Sequence, residues 1–356
     1  MNRARRATTS VLVPLLGVLA VCLVTPAQAT AQATTQVTAQ VTAQAAAQAP
    51  ATFTPTPGWP KGGYTRLLKV RLLDALPQPP ELVVFGGSRA MKAEPSWLAS
   101  LTGLRSFNAA VSSSRPTDVW AFVNLLHAEY PTTPEHYVWF LSMEAFREVG
   151  IVQDQLLVVP RLARYLPREL VPHDVQPVPP GALPRGDLIM PDRTVWAHDG
   201  WLVTSRYELA FSRGATLQGM LGSRIRQYSR NYQSTFTKLY DQPKELIARV
   251  IEVMNGYGAT PVIVLPPYHP DLLAALEPLG WDARHKEVLA YFADLRRSCR
   301  FVLVDLSDIA SFHGRPDGFY DGVHLSVGMM RRMLGVVVER AGAALLRRTH
   351  IPLGAV

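Results

Sequence analysis

The chain has 356 residues, 36 Lys and Arg against 28 Asp and Glu for a formal net charge of +8, and only two cysteines, Cys22 and Cys299. That length supports one large domain with its own core, and so few thiols exclude a disulfide-stapled small fold. The basic residues are scattered, with nothing denser than pairs such as Arg331-Arg332 and Arg347-Arg348. Nucleic-acid binding is therefore not expected, and the charge suits no more than association with an anionic cell wall or membrane surface.

The start of the chain does not read as fold. Residues 1–6 carry three arginines, residues 11–24 are apolar apart from Pro14 and Gly17, and Ala27-Gln28-Ala29 has the small-x-small form of a cleavage site. Residues 1–29 thus predict a secretory signal peptide and an extracytoplasmic destination. The apolar run is shorter than the roughly 20 residues of a membrane span, although a retained N-terminal anchor stays open. Val21 stands before Cys22 where a lipobox wants a small residue, which argues against a lipoprotein. Removing the signal leaves a net charge of about +5 and Cys299 as the one remaining thiol. From residue 30 the chain repeats Thr-Ala-Gln and then turns proline-rich, so 30–62 predicts a low-complexity tether ahead of a domain over 63–356.

A first helix is expected over 65–76, ending before Pro77. Five apolar runs follow, at 82–85, 104–107, 137–141, 262–265 and 301–304, each with the length and composition of a buried parallel strand. Helical spacing lies between most of them. Val119, Phe122, Val123 and Leu126 share a face over 117–130, and Leu246, Ile247, Val250, Ile251 and Met254 do so over 244–257. The pattern repeats over 281–299, and a last helix takes Ser326 as N-cap with Met330, Met333, Leu334, Val337, Val338, Ala341 and Leu345 on one face. Strands alternating with helices predict an α/β, doubly wound parallel sheet. One segment breaks the rhythm. Residues 150–242, between the third and fourth strands, exceed what a crossover needs and hold a Pro-rich middle at 171–180, then Trp196, Trp201, Arg206, Tyr207, Phe211, Tyr228, Arg230 and Tyr232. They read either as a cap that binds sugar rings or as a subdomain with a small core of its own.

The first strand runs into Gly86-Gly87, which places Ser88 just past the carboxyl end of a central strand, the edge where open α/β sheets bind ligands. A serine there becomes a nucleophile if a histidine base reaches it. Asp321-Gly322-Val323-His324 offers one, and three-residue spacing lets both side chains project from one turn ahead of the last helix. Asp317, in Pro316-Asp317-Gly318, is a rival carboxylate.

Gly-Gly-Ser after the first strand with a late Asp-x-x-His resembles the SGNH/GDSL hydrolase superfamily. The wording around both motifs is closest to the branch with alginate O-acetyltransferase-like and D-alanyl-transfer-type proteins. The resemblance spans 81–345 and implies a flavodoxin-like, five-stranded, three-layer α/β/α fold. It also implies a triad of Ser88 as nucleophile, His324 as general base and Asp321 as its partner. The family's second block falls on Asn108, with Ser113 where glycine is usual, so the backbone N–H groups of Ser88 and Ser113 would form the oxyanion hole. In the third block Glu144 stands where an asparagine donor is expected. An ionised carboxylate repels an oxyanion, so Glu144 could serve only if protonated, or if turned away to orient another group. Loss of one such donor costs on the order of 100- to 1,000-fold in rate.

Other residues at strand ends carry two readings each. Tyr268 and His269 follow the fourth strand and either contact substrate or form a rigid turn bracketed by Pro267 and Pro270. Arg89 either holds an anionic group or starts a helix facing solvent, and Asn108 joins the substrate contacts. Asp199-Gly200-Trp201 either lines a sugar site, with Trp201 as platform, or is a plain turn. The histidines show no metal-ligand spacing and no Gly-x-Gly-x-x-Gly or Walker pattern is present, so neither metal nor cofactor is expected. The functional expectation is a secreted serine esterase or O-acyltransferase acting on acyl esters of carbohydrate or cell-envelope polymers. The alternative is a non-catalytic glycan-binding or scaffold protein on a degenerate SGNH fold, ahead of a nucleotide-binding domain that would take phosphate at Gly86-Gly87. Nothing in the sequence signals an oligomeric state.

Overall fold

The computed structural model describes residues 51–52, 64–130, 134–148, 152–171, 188–189 and 193–346. The predicted signal peptide and all of the predicted tether except Ala51–Thr52 lie outside them, as does the Pro-rich middle of the insertion after Val171. No helix among the described residues is long and apolar enough to cross a membrane.

Strand β1 (Leu82–Gly86) is buried along its whole length, as its unbroken apolar run requires for a strand covered on both faces. It pairs in parallel with β2 (Ser106–Asn108) on one side and β3 (His136–Phe140) on the other. Beyond β3 come β4 (Val262–Leu265) and β5 (Val302–Asp305), also parallel, giving the order β2-β1-β3-β4-β5. All five predicted strands are present, and the sheet is the doubly wound, flavodoxin-like one expected. In this order the strand sequence reverses between β1 and β3, so their carboxyl ends open the crevice where such folds bind ligands.

Helix α1 (Tyr64–Asp74) precedes the sheet. One layer packs α2 (Pro95–Thr102) against α9 (Val327–Ala341), and the other packs α3 (Pro116–Glu129) against α6 (Asp241–Gly256). Ser326 caps α9 by accepting from the Met329 N–H, as predicted. The insertion contributes α4 (Arg206–Phe211), capped by a Ser205/Glu208 box, and α5 (Leu217–Ser234), which packs on α7 (Pro270–Leu276) just after β4. Helix α8 (Trp281–Leu295) then leads to β5. Two short antiparallel strands, Val195–Trp196 and Leu202–Thr204, extend a small sheet to Leu188–Ile189 and Ala51–Thr52. The buried Trp196, Leu202, Leu221, Tyr232 and Phe236 of the insertion join the single main core cluster. The reading of a subdomain with a separate core does not hold. The described part of the insertion is an extension of the main core over the carboxyl edge of the sheet.

Helix α1 buries two cations along with its apolar face. Arg66 is fully buried and makes a bidentate pair with Asp118 of α3, Nε to Oδ1 at 2.6 Å and Nη2 to Oδ2 at 2.9 Å. Lys69 is equally buried; its Nζ donates to the Asn108 carbonyl at 2.5 Å and to the Gly200 carbonyl, tying β2 to the turn of the insertion. Burial lowers the Lys69 pKa well below that of a free lysine, against the opposing charge of Asp199.

Candidate active site

Ser88 is delivered by a turn that only glycine can make. Gly86 has φ of 145°, and a Cβ there would lie 2.8 Å from the Phe140 carbonyl of β3. The chain thus leaves β1 tight against β3 and turns Ser88 up at the crevice.

From the far end of the sequence comes a prebuilt imidazole. The Oδ1 of Asp321 accepts the backbone N–H groups of Val323 and His324, each at 2.8 Å, closing a local turn. The ring Nδ1 of His324 lies 2.9 Å from Asp321 Oδ2 and 3.0 Å from Oδ1. Its other nitrogen, Nε2, lies 2.8 Å from Ser88 Oγ. With Nδ1–H donating to the carboxylate, Nε2 carries the lone pair that accepts from the serine hydroxyl. Two segments separated by 236 positions are thereby joined in one relay. Asp317 pairs instead with exposed Arg315, at 2.9 Å, and has no part in it.

The electrostatics favour a charged aspartate beside a neutral histidine. Burial opposes ionisation of Asp321, but the His324 hydrogen bond, the His324 and Arg224 charges and the Val323 N–H outweigh it and hold the carboxyl well below the usual range. Burial pulls the His324 pKa below its ordinary value; Asp321 pulls it up, and the Arg224 and Arg89 cations pull it down again.

The insertion supplies contacts that the sequence reading did not assign. Arg224 of α5 donates through Nε, at 3.1 Å, and Nη2 to Asp321 Oδ2. Tyr207 of α4 lays its ring on the imidazole, with centroids 4.4 Å apart, and its hydroxyl stands 3.3 Å from His324 Nε2. The Tyr207 oxygen accepts from Arg206 Nη2 at 2.9 Å and Arg224 Nη2 at 3.2 Å, which ties it to the arginine that holds Asp321. Tyr207 and Arg224 lie on α4 and α5, and tertiary packing alone brings those helices over the relay.

Several predicted residues have other work, and these are corrections. Asn108 is fully buried and saturated: Nδ2 donates to the Ala90 and Ala93 carbonyls at 2.9 and 2.7 Å, and Oδ1 accepts from the Ala110 N–H at 2.9 Å. It braces the segment after Ser88 and offers nothing to substrate. Arg89 is neither solvent-facing nor free. Its Nη2 donates to the carbonyls of Pro266, at 3.0 Å, and Pro267, its guanidinium stacks 4.3 Å from the Tyr268 ring, and Nη1 lies 3.9 Å from Glu144. Tyr268 is wholly buried and donates to Glu144 at 2.9 Å. Glu144 is therefore an acceptor between Tyr268 and Arg89, not a donor for an oxyanion. His269 is the buried N-cap of α7, accepting at Nδ1 from the Asp271 N–H at 3.1 Å, while its own N–H holds the Gly322 carbonyl at 2.9 Å. It braces the Asp321 turn from behind. The Asp199-Gly200-Trp201 stretch is a turn: Gly200 has φ of 84°, and a Cβ there would lie 2.2 Å from the Asn108 carbonyl. Trp196, rather than Trp201, reaches the site.

Ser88 and His324 stand at the neck between two cavities. The first, about 240 Å³, has walls of Met91, Trp196, Leu202, Tyr207, Tyr320 and Leu325. Its polar rim is locked by Glu208, which accepts from Lys92 at 2.6 Å and Tyr320 at 2.7 Å. The second, about 190 Å³, is lined by Gly87, Ser113, Ser114, Arg115, Arg147 and Arg224 among others. Ser113 adopts φ of 52°, the left-handed conformation that favours glycine, and neither its N–H nor that of Ser88 has an acceptor among the described residues.

No protein-family model matches the sequence, and no curated protein is significantly similar to it.

Proposed function

We propose that the protein is an extracytoplasmic serine esterase or O-acyltransferase of SGNH type. The observation that carries this reading is the relay Ser88 Oγ–His324 Nε2–Asp321, with 2.8 and 2.9 Å links, at the switch point of the sheet. Ser88 Oγ attacks the acyl carbonyl while its proton passes to His324 Nε2, and Asp321 stabilises the imidazolium. The carbonyl π electrons move to the oxygen, where the free N–H groups of Ser88 and Ser113 receive the developing charge. Collapse expels the alcohol, which takes the proton from His324 and leaves acyl-Ser88. Water, or a sugar hydroxyl, then repeats the cycle from the other side. The apolar first cavity suits the acyl group, and the polar second cavity suits the alcohol or acceptor. The test is labelling with a fluorophosphonate probe alongside turnover of p-nitrophenyl acetate. Wild type should do both; a protein that does neither would end the enzyme reading and leave a glycan-binding role for the same crevice.

Arg224 gives the reading a signed pH test. A neutral His324 is the active base, so kcat/KM should fall as pH drops through its pKa, which lies below the ordinary value near 6.5. Arg224→Met removes a cation that disfavours the imidazolium and frees Asp321 to pull on it harder, so the His324 pKa rises. The acid limb should move upward in pH. A limb that stays put or moves down would show that Arg224 does not act through this pair.

A further inference from the structure

The second cavity holds an imbalance that the acyl-transfer chemistry does not use. Four arginines line it, Arg89, Arg115, Arg147 and Arg224, against one acid, Glu144. Glu144 faces Arg89, and Arg224 is engaged by Asp321. Arg115 and Arg147 have no ion pair and no side-chain hydrogen bond among the described residues, and the Nε of each is buried without a partner. The nearby carboxylate of Asp118 is already taken by Arg66 and by the Arg115 backbone N–H, at 2.7 Å. Asp154 shares only an adjoining groove with Arg115. Burial, then the Arg147 charge, pull the Arg115 pKa down to about 10, with Asp118 opposing. Two neighbouring guanidinium groups with open donors on one wall repel each other until an anion sits between them, and their planar forks match carboxylate and phosphate oxygens. Ser114, Gln227 and Asn231 add neutral hydrogen-bonding groups around them.

We propose that Arg115 and Arg147 form an anion subsite that seats a carboxylate, phosphate or sulfate group of the molecule presented to Ser88. The assignment of that molecule as substrate rests on the acyl-transfer reading; the binding of an anion does not. The substrate class is then an acyl ester, or an acyl acceptor, bearing a negative charge one cavity's width from the reacting hydroxyl, such as an acidic sugar or a phosphorylated envelope polymer.

The test uses the Ser88→Ala protein, so that binding is read without turnover. Inorganic phosphate, sulfate and glucuronate are each titrated calorimetrically, with glucose as the neutral control. At least one anion should bind saturably, more weakly as salt is raised, and glucose should not. Arg115→Gln and Arg147→Gln should each weaken that binding about tenfold, a size ordinary for a charge-assisted hydrogen bond. Arg147→Lys should recover part of the loss, because it keeps the charge and gives up the fork. Circular dichroism checks that each variant folds, and the lysine exchange stands in for any that does not. The anion bound tightest distinguishes a carboxylate source from a phosphate or sulfate one. Binding of none of the three below about 10 mM, or affinities unchanged in both glutamine variants, would overturn the subsite. Anion binding in a wild-type protein that no fluorophosphonate labels would instead overturn the acyl-transfer reading and leave the subsite standing.

Discussion

Ser88→Ala is expected to abolish fluorophosphonate labelling and to lower kcat for an activated ester by about 10⁴- to 10⁶-fold, the range seen when the relay nucleophile is removed from a serine hydrolase. His324→Ala should cost a similar factor, because a serine whose proton has nowhere to go is hardly better than none. The informative result is the double variant. Since Oγ and Nε2 act as one unit across 2.8 Å, Ser88→Ala/His324→Ala should be no slower than either single change. Costs that multiplied instead would mean that the two residues contribute independently. A Ser88→Ala protein retaining more than about a tenth of wild-type turnover would remove Ser88 from the chemistry altogether. Some residual rate is expected in every case, because the backbone donors at Ser88 and Ser113 survive these substitutions.

The sheet was legible because each strand is an apolar run with its own punctuation. The pair Gly86-Gly87 marks the end of β1, where a Cβ on Gly86 cannot fit, and Asp321-x-x-His324 writes its hydrogen bond into local spacing. What brings these two motifs together is the order β2-β1-β3-β4-β5; the alternation of strands and helices predicted a parallel doubly wound sheet without fixing that order. The misreadings share one cause. Asn108, Arg89, Tyr268 and His269 all lie at strand ends on the ligand edge, where sequence alone cannot separate a side chain that faces the crevice from one that braces its loops. Arg89 is the clearest case: its neighbour in sequence is Ser88, yet its guanidinium is turned back to the Pro266 carbonyl and the Tyr268 ring. Tyr207 and Arg224 went unassigned for the opposite reason. They lie in the insertion, 117 and 97 positions from the His324 and Asp321 they touch, and no spacing rule spans such a gap. Arg115 and Arg147 carry no signal in sequence, since a single arginine at a helix end is ordinarily a solvated one.

Arg66→Met is expected to destabilise the fold by about 3–5 kcal/mol, read as a lower urea midpoint at unchanged m. Methionine fills much of the volume of arginine, so packing is not the main loss. The loss comes from Asp118, 1% exposed in α3, which would lose both guanidinium donors with no water to replace them. Adding Asp118→Leu should therefore recover most of the stability, short by about 1 kcal/mol because the carboxylate also accepts the N–H of Arg115 at the start of α3, at 2.7 Å. A double variant less stable than Arg66→Met would show that Asp118 is held by other partners. The same substitution reaches the site. Nη1 of Arg66 donates to the Ser112 carbonyl at 3.3 Å and to Gln155 at 2.9 Å, and Gln153, a further Arg66 partner, donates to the Ser113 carbonyl at 2.8 Å. This net holds Ser113 in its left-handed conformation, with its N–H free for an oxyanion. At a temperature where Arg66→Met is still folded, kcat should fall while KM changes little, because the displaced donor acts in the transition state and not on the bound ester. Equal kcat in the folded variant would mean that residues 112–114 keep their shape without the arginine, and that the buried pair serves stability alone.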